Sequence, residues 1–321
     1  MKAVVFAEFG GPEVLRYRDL PDPVPEAGEV LVRVRACSVN RTLDLEAREK
    51  GAGFGIALPH VSGADPCGEV LATGPGVCRR GAENACLNLK VVGVHRHGGY
   101  AERVRVPAAN AVPLPAALPF EEAACLPLSY AVAWQLLVTL ARVQSGETVL
   151  VMAASSGLGV AGIQIARLRG ARVLAAAGSD EKLERARGLG AEAGINYATS
   201  DLPKEVRRLT DGWGADVVFE NIGAATWDRS LASLARAGRV VTCGTHGGSQ
   251  ASIDIRALYR GHASLLFTAG FTRDALEEVI RLTGEGRLKA VIDRTFPLAE
   301  AAAAQRWVAD RKNFGKVILI P

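Results

Sequence analysis

The chain has 321 residues, 49% of them apolar and 22% charged, with 38 basic and 34 acidic side chains giving a net charge of +4. A single core seldom grows beyond roughly 250–300 residues, so this length suits two domains, and so apolar a composition excludes intrinsic disorder. The charges are mixed, without a long basic run, which reads as a solvated surface; no nucleic-acid partner is expected.

In chain order, the opening MKAVVFAEFG lacks the h-region of a leader and reads as a first strand, Lys2–Phe6. EVLVRVRA (Glu29–Ala36) alternates apolar and charged residues, the mark of a strand with one wet face, and Gly68–Thr73 and Arg103–Pro107 are further strands between Pro- and Gly-rich turns. Near Pro119 the pattern changes, with helical spacing over Phe120–Ala124 and Ser129–Ala141. The apolar stretch Ala123–Val138 is interrupted by Pro127, Ser129 and Gln135 and reads as too broken for a membrane span. From Glu147 strand and helix alternate: TVLVM, helix Gly157–Leu168, strand Arg172–Ala177, helix Lys182–Leu189, strand Ala215–Phe219, helix Ser230–Ala235, strands Arg239–Gly244 and Ser264–Thr268. Such alternation implies parallel strands with right-handed crossovers. After Gly270 come a helix, Arg273–Leu282, and a closing strand, KVILIP. The expected division is therefore 1–119 with 271–321, and 120–270. Six cysteines, Cys37, Cys67, Cys78, Cys86, Cys125 and Cys243, are scattered without a framework, which fits a reducing cytoplasm. Cys125 and Cys243 read as buried and inert.

The strongest local signal is the strand TVLVM, the loop AASSGLG and the helix VAGIQIAR. Small residues let a backbone approach a pyrophosphate, and a helix N-terminus offers free N–H groups and a positive dipole end. Ala154, Ser155, Ser156, Gly157, Leu158 and Gly159 are the candidate cradle, with Ala153 or Ala154 replacing the usual first glycine; an ordinary tight turn is the plain alternative. An NAD-binding unit carries an acid at the end of its second strand, about 20 residues on, for the ribose hydroxyl. Here that strand ends AAAGSDEK, so Gly178 and Ser179 stand where the acid would be, with Lys182 and Arg185 following. A hydroxyl and cations suit a 2′-phosphate, so NADPH is the expected cofactor unless Asp180 turns inward; Lys182 and Arg185 also read as plain exposed helix residues. Asn221, Gly223, Gly244 and Thr245 fall at strand ends, where open parallel sheets bind ligands.

The segments EVLVRVRACSVNRT, PHVSGADPCGEVLATGPGV, HGGYAERVRVP, AASSGLGVAGIQIAR and FGKVILIP, in this order, resemble the medium-chain dehydrogenase/reductase family, and within it the quinone oxidoreductase (zeta-crystallin-like) branch. The resemblance implies an α/β fold: a Rossmann doubly wound parallel sheet inserted in a β-rich, chaperonin-10-like catalytic domain, with the nicotinamide in the cleft between them. It implies Asn40 at the nicotinamide and substrate, with Thr42 close behind it, Ser129 behind the nicotinamide, Tyr197 near the adenosine phosphate, and Phe267, Ala269 and Asn313 beside the cofactor. Zinc-dependent relatives hold a catalytic metal with Cys, His and Cys; the matching positions here are Asn40, Ala64 and Cys125, so no metal is expected. His60 is off register and reads as structural or surface. The pair Cys78 and Cys86 resembles the second half of a structural zinc lobe whose first half and preceding strand are missing; His95 and His97 are the only nearby candidates to complete it.

Without zinc, alcohol oxidation is hard, whereas a quinone or α,β-unsaturated carbonyl accepts hydride with hydrogen bonds alone to its oxygen. The expected activity is therefore NADPH-dependent reduction of a quinone or enone. The alternatives are an enoyl-thioester reductase, a relative of the zinc alcohol dehydrogenases, and a non-enzymatic NADPH-binding protein of crystallin or RNA-binding type. A homodimer is expected, paired through the edge strand Ser264–Thr268, and no membrane partner.

Overall fold

The computed structural model describes residues 1–77, 84–87 (backbone) and 92–321; Cys78 and the Cys86 side chain, on which the structural-zinc question turns, lie outside the described residues. The chain divides into two compact units, Met1–Leu128 with Thr272–Pro321, and Ser129–Phe271.

The first unit is β-rich. It holds β1 (Lys2–Val5), β2 (Arg16–Asp19), β3 (Glu29–Ser38), β4 (Asp65–Thr73), β5 (Asn84–Leu87), β6 (Arg103–Pro107) and β7 (Ala111–Pro113). Six strands of the second unit intervene, β8 (Thr148–Val151), β9 (Arg172–Ala177), β10 (Ala193–Asn196), β11 (Ala215–Glu220), β12 (Leu234–Thr242) and β13 (Ser264–Phe267). The chain then returns with β14 (Ile292–Pro297) and β15 (Lys316–Ile320). The first unit's main sheet runs β14-β15-β3-β4-β5-β7, with β6 also on β3. The shortened zinc-lobe segment thus still supplies a strand: β5 pairs antiparallel with β4 and β7.

The alternation in β3 does what it predicts. Val30, Val32 and Val34 enter a core with Phe6, Tyr100, Val104, Val106, Val317 and Leu319, while Arg33 and Arg35 face water. Beyond Val34 the pattern stops because Ala36, Cys37 and Ser38 are all buried, and this is the end of the strand that delivers Asn40. Gly68 on β4 lies opposite Val34, and a Cβ there would come 1.8 Å from the Arg33 carbonyl oxygen, so only glycine permits this pairing.

The second unit is a six-stranded, wholly parallel sheet ordered β10-β9-β8-β11-β12-β13. Counted from β8 this is 3-2-1-4-5-6, the doubly wound dinucleotide-binding order. Its central strand β8, TVLV, is buried along its whole length, as a strand covered on both faces must be. Among the described residues the Ser264–Thr268 stretch forms an edge, with β13 paired to β12 alone. One expected helix is shifted. It spans Trp227–Ala232, and Leu234 already belongs to β12, whose pairing with β11 is irregular between Ala215 and Val217.

The apolar stretch near Pro127 is longer than its sequence reading allows: Phe120–Leu140 is one helical run of 21 residues, apolar enough by length and composition to cross a membrane. Its most apolar window is 67% buried in the protein's own interior, which is how a core helix of a packed domain behaves.

His60 is buried, with Nε2 2.9 Å from the Gly93 carbonyl oxygen, and its ring lies 5.6 Å from that of His97, whose Nδ1 accepts from the Val61 N–H. Burial, with the neighbouring ring, lowers the His60 pKa from 6.5, and burial with Arg105 lowers that of His97. A base whose folded pKa is depressed contributes stability that is full above the unfolded value and lost as pH falls through the folded one. The thermal midpoint is therefore expected to drop more steeply below about pH 6.5 in the native chain than in His60→Gln, measured by calorimetry over the same buffers. Equal slopes would refute a role for this pair.

Candidate active site

The phosphate-loop candidates assemble as a unit. β8 ends at Val151; Ala153 takes a left-handed φ of 47°, and the Ser156 N–H returns to the Ala153 carbonyl at 2.8 Å. Ser156 caps the helix Gly157–Leu168 by accepting from the Gly159 N–H at 2.9 Å, a contact worth about 1 kcal/mol. Gly159 is required: a Cβ would sit 2.2 Å from the Ala153 carbonyl oxygen. Ala154 is buried under the loop, and Ser155, Ser156, Gly157 and Leu158 keep partial exposure at the helix start. The sequence reading missed Gly162, whose Cβ would meet the Phe219 ring at 2.7 Å. Gly162, inside the helix and three residues beyond Gly159, sets the close approach of the helix to β11; a glycine within a helical period was the available signal.

At the end of β9, Gly178 is exposed, and a Cβ there would touch the Tyr197 ring only at ordinary distances, 3.6–3.9 Å. Ser179 caps the next helix by accepting from the Lys182 N–H at 3.4 Å, which leaves its own hydroxyl proton to donate. Asp180 is held by the Asn196 side-chain amide at 2.9 Å. The Arg229 guanidinium donates to the Tyr197 carbonyl at 3.2 Å and lies 5.9 Å from that ring's centre, so Gly178, Tyr197 and Arg229 form one cluster; the sequence reading missed Arg229, which carries no motif.

The strand-end candidates also meet. Asn221 follows β11 and donates to the Met152 carbonyl at 2.8 Å, tying the ends of β8 and β11 together. Gly223, at φ +96°, packs 3.0 Å (as a built Cβ) from the Thr245 Cα, and a Cβ on Gly244 would strike the Asn221 carbonyl at 2.3 Å. Glu220 is buried beneath them, accepting from the Ile222 and Gly223 N–H groups and from the Thr226 hydroxyl; burial raises its pKa. Ser129 is buried in the long helix, and Phe267, 63% exposed, stacks on Trp227 at 6.3 Å with Ala269 exposed beyond it. Asn313, in the first unit, donates to the Gly315 carbonyl. Cys125 is buried, but Cys243 is exposed at the end of β12, where a strand-end residue escapes the cover of the flanking helices.

Asn40 sits where β3 ends, in a buried polar network of the first unit. Its Nδ2 donates to Asp65 Oδ2 at 2.9 Å and to Ser38 Oγ at 3.3 Å, and its Oδ1 accepts from Lys316 Nζ at 2.5 Å. Ser38 Oγ donates to Asp65 Oδ2 at 2.6 Å, and Lys316 Nζ lies 3.8 Å from that carboxylate. Asp44 Oδ2 accepts from the Asn40 N–H at 2.7 Å and its Oδ1 from the Gly63 N–H at 2.9 Å. Even with those two donors, burial pushes Asp44 up to about 7, and the nearby Asp65 carboxylate adds to the rise. Thr42 lies on the turn that follows, where its carbonyl accepts from the Ala47 N–H; the bonds around Asn40 run through Asp44 instead. Asp65 and Lys316 were missed because they are remote from Asn40 in sequence, and Ser38, two residues before it, because it reads as an ordinary strand residue.

The catalytic-zinc positions do not fit that metal. Zinc needs thiolate, imidazole or carboxylate donors in a tetrahedral set. Ala64 has no donor, the Asn40 amide is committed to Lys316 and Asp65, and the Cys125 thiol faces the Glu121 carbonyl at 3.4 Å. Among the described residues no three His, Cys, Asp or Glu side chains stand close enough to share an ion.

A doubly wound parallel sheet with a glycine loop, and a GroES-like β unit assembled from both flanks of it, define an oxidoreductase of the two-domain dinucleotide-binding class. Residues 157–293 match the zinc-binding dehydrogenase family and residues 26–116 the alcohol dehydrogenase GroES-like domain. The quinone oxidoreductase of Rattus norvegicus is 31% identical over 100% of this chain and 98% of its own. Among solved structures, an NAD-dependent alcohol dehydrogenase is 41% identical with a TM-score of 0.94, covering 100% of both chains. A mycobacterial protein, Rv1454c, solved with NADPH, is 30% identical with a TM-score of 0.89, again over 100% of both. The chain belongs to the medium-chain dehydrogenase/reductase family, in its quinone oxidoreductase branch.

Proposed function

We propose that this protein is a cytoplasmic, NADPH-dependent reductase of quinones or α,β-unsaturated carbonyls that works without a catalytic zinc. The observation that carries the reading is the donor set at Asn40, Ala64 and Cys125: an amide pinned by Lys316 and Asp65, a methyl group and one thiol offer a metal nothing to close on. The cradle at Ser156–Gly159 and the cluster at Gly178, Ser179 and Tyr197 would hold the dinucleotide's phosphates, and when bound the nicotinamide supplies a hydride. Asn40 is assigned to the reacting end, where an amide N–H stabilises the negative oxygen that forms as the electron-poor carbon is reduced. Water supplies the proton. The protein's contribution is chiefly orientation.

NADH is the competing cofactor, favoured by the likeness to the 41% identical NAD-dependent alcohol dehydrogenase. The end of β9 argues for NADPH: glycine replaces the acid, and Asp180 is occupied by Asn196. In a panel of quinones and enones, NADPH oxidation is expected with at least one member, by protein holding far less than one zinc per chain in metal analysis. Cofactor binding without turnover on any member, or stoichiometric zinc, would sink the proposal.

We further propose a homodimer. The edge strand β13 and the segment before it expose Ile253, Ile255, Tyr259 and Phe267, at 44%, 68%, 61% and 63%. An unpaired strand edge beside apolar side chains is best covered by a second copy. Light scattering is expected to give twice the chain mass; a monomer across the concentration range would refute it.

A further inference from the structure

Three facts about the network at Asn40 point beyond Asn40 itself. First, its partners fix the sense of the amide. A lysine ammonium has donors only and an ionised carboxylate acceptors only, so Oδ1 must face Lys316 and Nδ2 must face Asp65; the flipped amide would set donor against donor and acceptor against acceptor. Second, Nδ2 faces three acceptors, Asp65 Oδ2 at 2.9 Å, Ser38 Oγ at 3.3 Å and the Ser38 carbonyl at 3.5 Å, so both ends of the amide are held by this network. Third, among Ser38, Asn40, Asp65 and Lys316, at 0%, 9%, 0% and 5% exposure, Asn40 keeps the most surface.

We propose that Lys316 and Asp65 are positioning residues, which lock the Asn40 carboxamide in one orientation; the N–H that meets the oxygen of the bound substrate gives up its longest contact, 3.5 Å to the Ser38 carbonyl. The assignment rests on the reading of Asn40 given above. The buried charges are not donors to the substrate. They act through Asn40, and the low-dielectric surroundings make their grip on the amide stronger than it would be in water.

The test combines kinetics with a probe of the amide that needs no turnover. Lys316→Met is expected to lower kcat with a reducible quinone or enone at least about tenfold, with NADPH Kd unchanged within about threefold. Asn40→Ala should lose as much, and Asn40→Ala/Lys316→Met no more than either alone, because residues acting as one unit are non-additive. In protein labelled with 15N-asparagine, the two Asn40 amide protons should be well separated in shift in the native chain and drawn together in Lys316→Met. If Lys316→Met fails to fold, Asp65→Asn/Lys316→Gln, which keeps the shape and removes both charges, takes its place in every arm. Additive losses, or an Asn40 amide signature unmoved by loss of Lys316, would overturn the proposal. A native enzyme that reduces no quinone or enone would overturn the functional reading instead, and the amide spectrum would still decide whether Lys316 orients Asn40.

Discussion

Gly159→Ala is expected to weaken NADPH binding at least about 100-fold, the largest single-residue effect predicted for this protein. The added Cβ would fall 2.2 Å from the Ala153 carbonyl oxygen and 2.8 Å from the Ala154 Cα. Both are backbone atoms, so no rotamer change relieves the clash. The loop has little slack, because Ala153 already occupies the left-handed region and its carbonyl is bonded to the Ser156 N–H. The helix start must therefore move away from β8, and with it the N–H groups that would meet the diphosphate. Isothermal titration at a temperature where circular dichroism shows the variant folded separates this from plain destabilisation. Binding within about threefold of native would show that the diphosphate does not lie on this loop.

Gly178→Asp is expected to invert cofactor preference. A side chain has room there, since the nearest neighbour, the Tyr197 ring, would lie at contact distance. The introduced carboxylate would face the 2′-phosphate of NADPH but could accept from the 2′-hydroxyl of NADH. Position 178 is exposed, so screening keeps the repulsion to roughly 2–3 kcal/mol, or about 30- to 150-fold in NADPH affinity. NADH affinity should hold or improve. Measuring both dissociation constants by nucleotide fluorescence checks this; a parallel loss for the two would mean that the residue shapes the pocket without reading the phosphate.

The parts of the fold that were legible in the sequence share a cause. β3 and β8 and the helix Gly157–Leu168 carry a local signature: strict alternation, a compact apolar run, or a glycine loop opening a helical period. Several elements that escaped notice lack one. The helix Ile255–Gly261 is only seven residues long and buries none of them, so its period is too short to stand out. β10 is four residues with a glycine, and β14 alternates only weakly because its side chains stay partly exposed. At the candidate site, Asn40 was named from the resemblance and the phosphate loop from its small residues before a helix start. Lys316 was not: within KVILIP it reads as the polar start of the closing strand, and the pairing of β15 with β3 shows that it is buried beside Asn40. Likewise Asp65 drew attention only as the neighbour of Ala64, although it anchors the amide.

The bond between Asn40 and Lys316 joins residues 276 positions apart, with the whole Ser129–Phe271 unit between them. During synthesis, which runs from the N-terminus, the nucleotide-binding unit emerges complete while the asparagine still waits for its lysine. Domains generally fold as units in the order they are made, so the second unit can be finished before the first can close. Until then Asp65 has no ammonium beside it and the β3 end lacks β15. On the reading proposed above, the half that would hold the diphosphate is thus made before the arrangement at Asn40 can close, and a chain ended before Lys316 would lack that arrangement altogether.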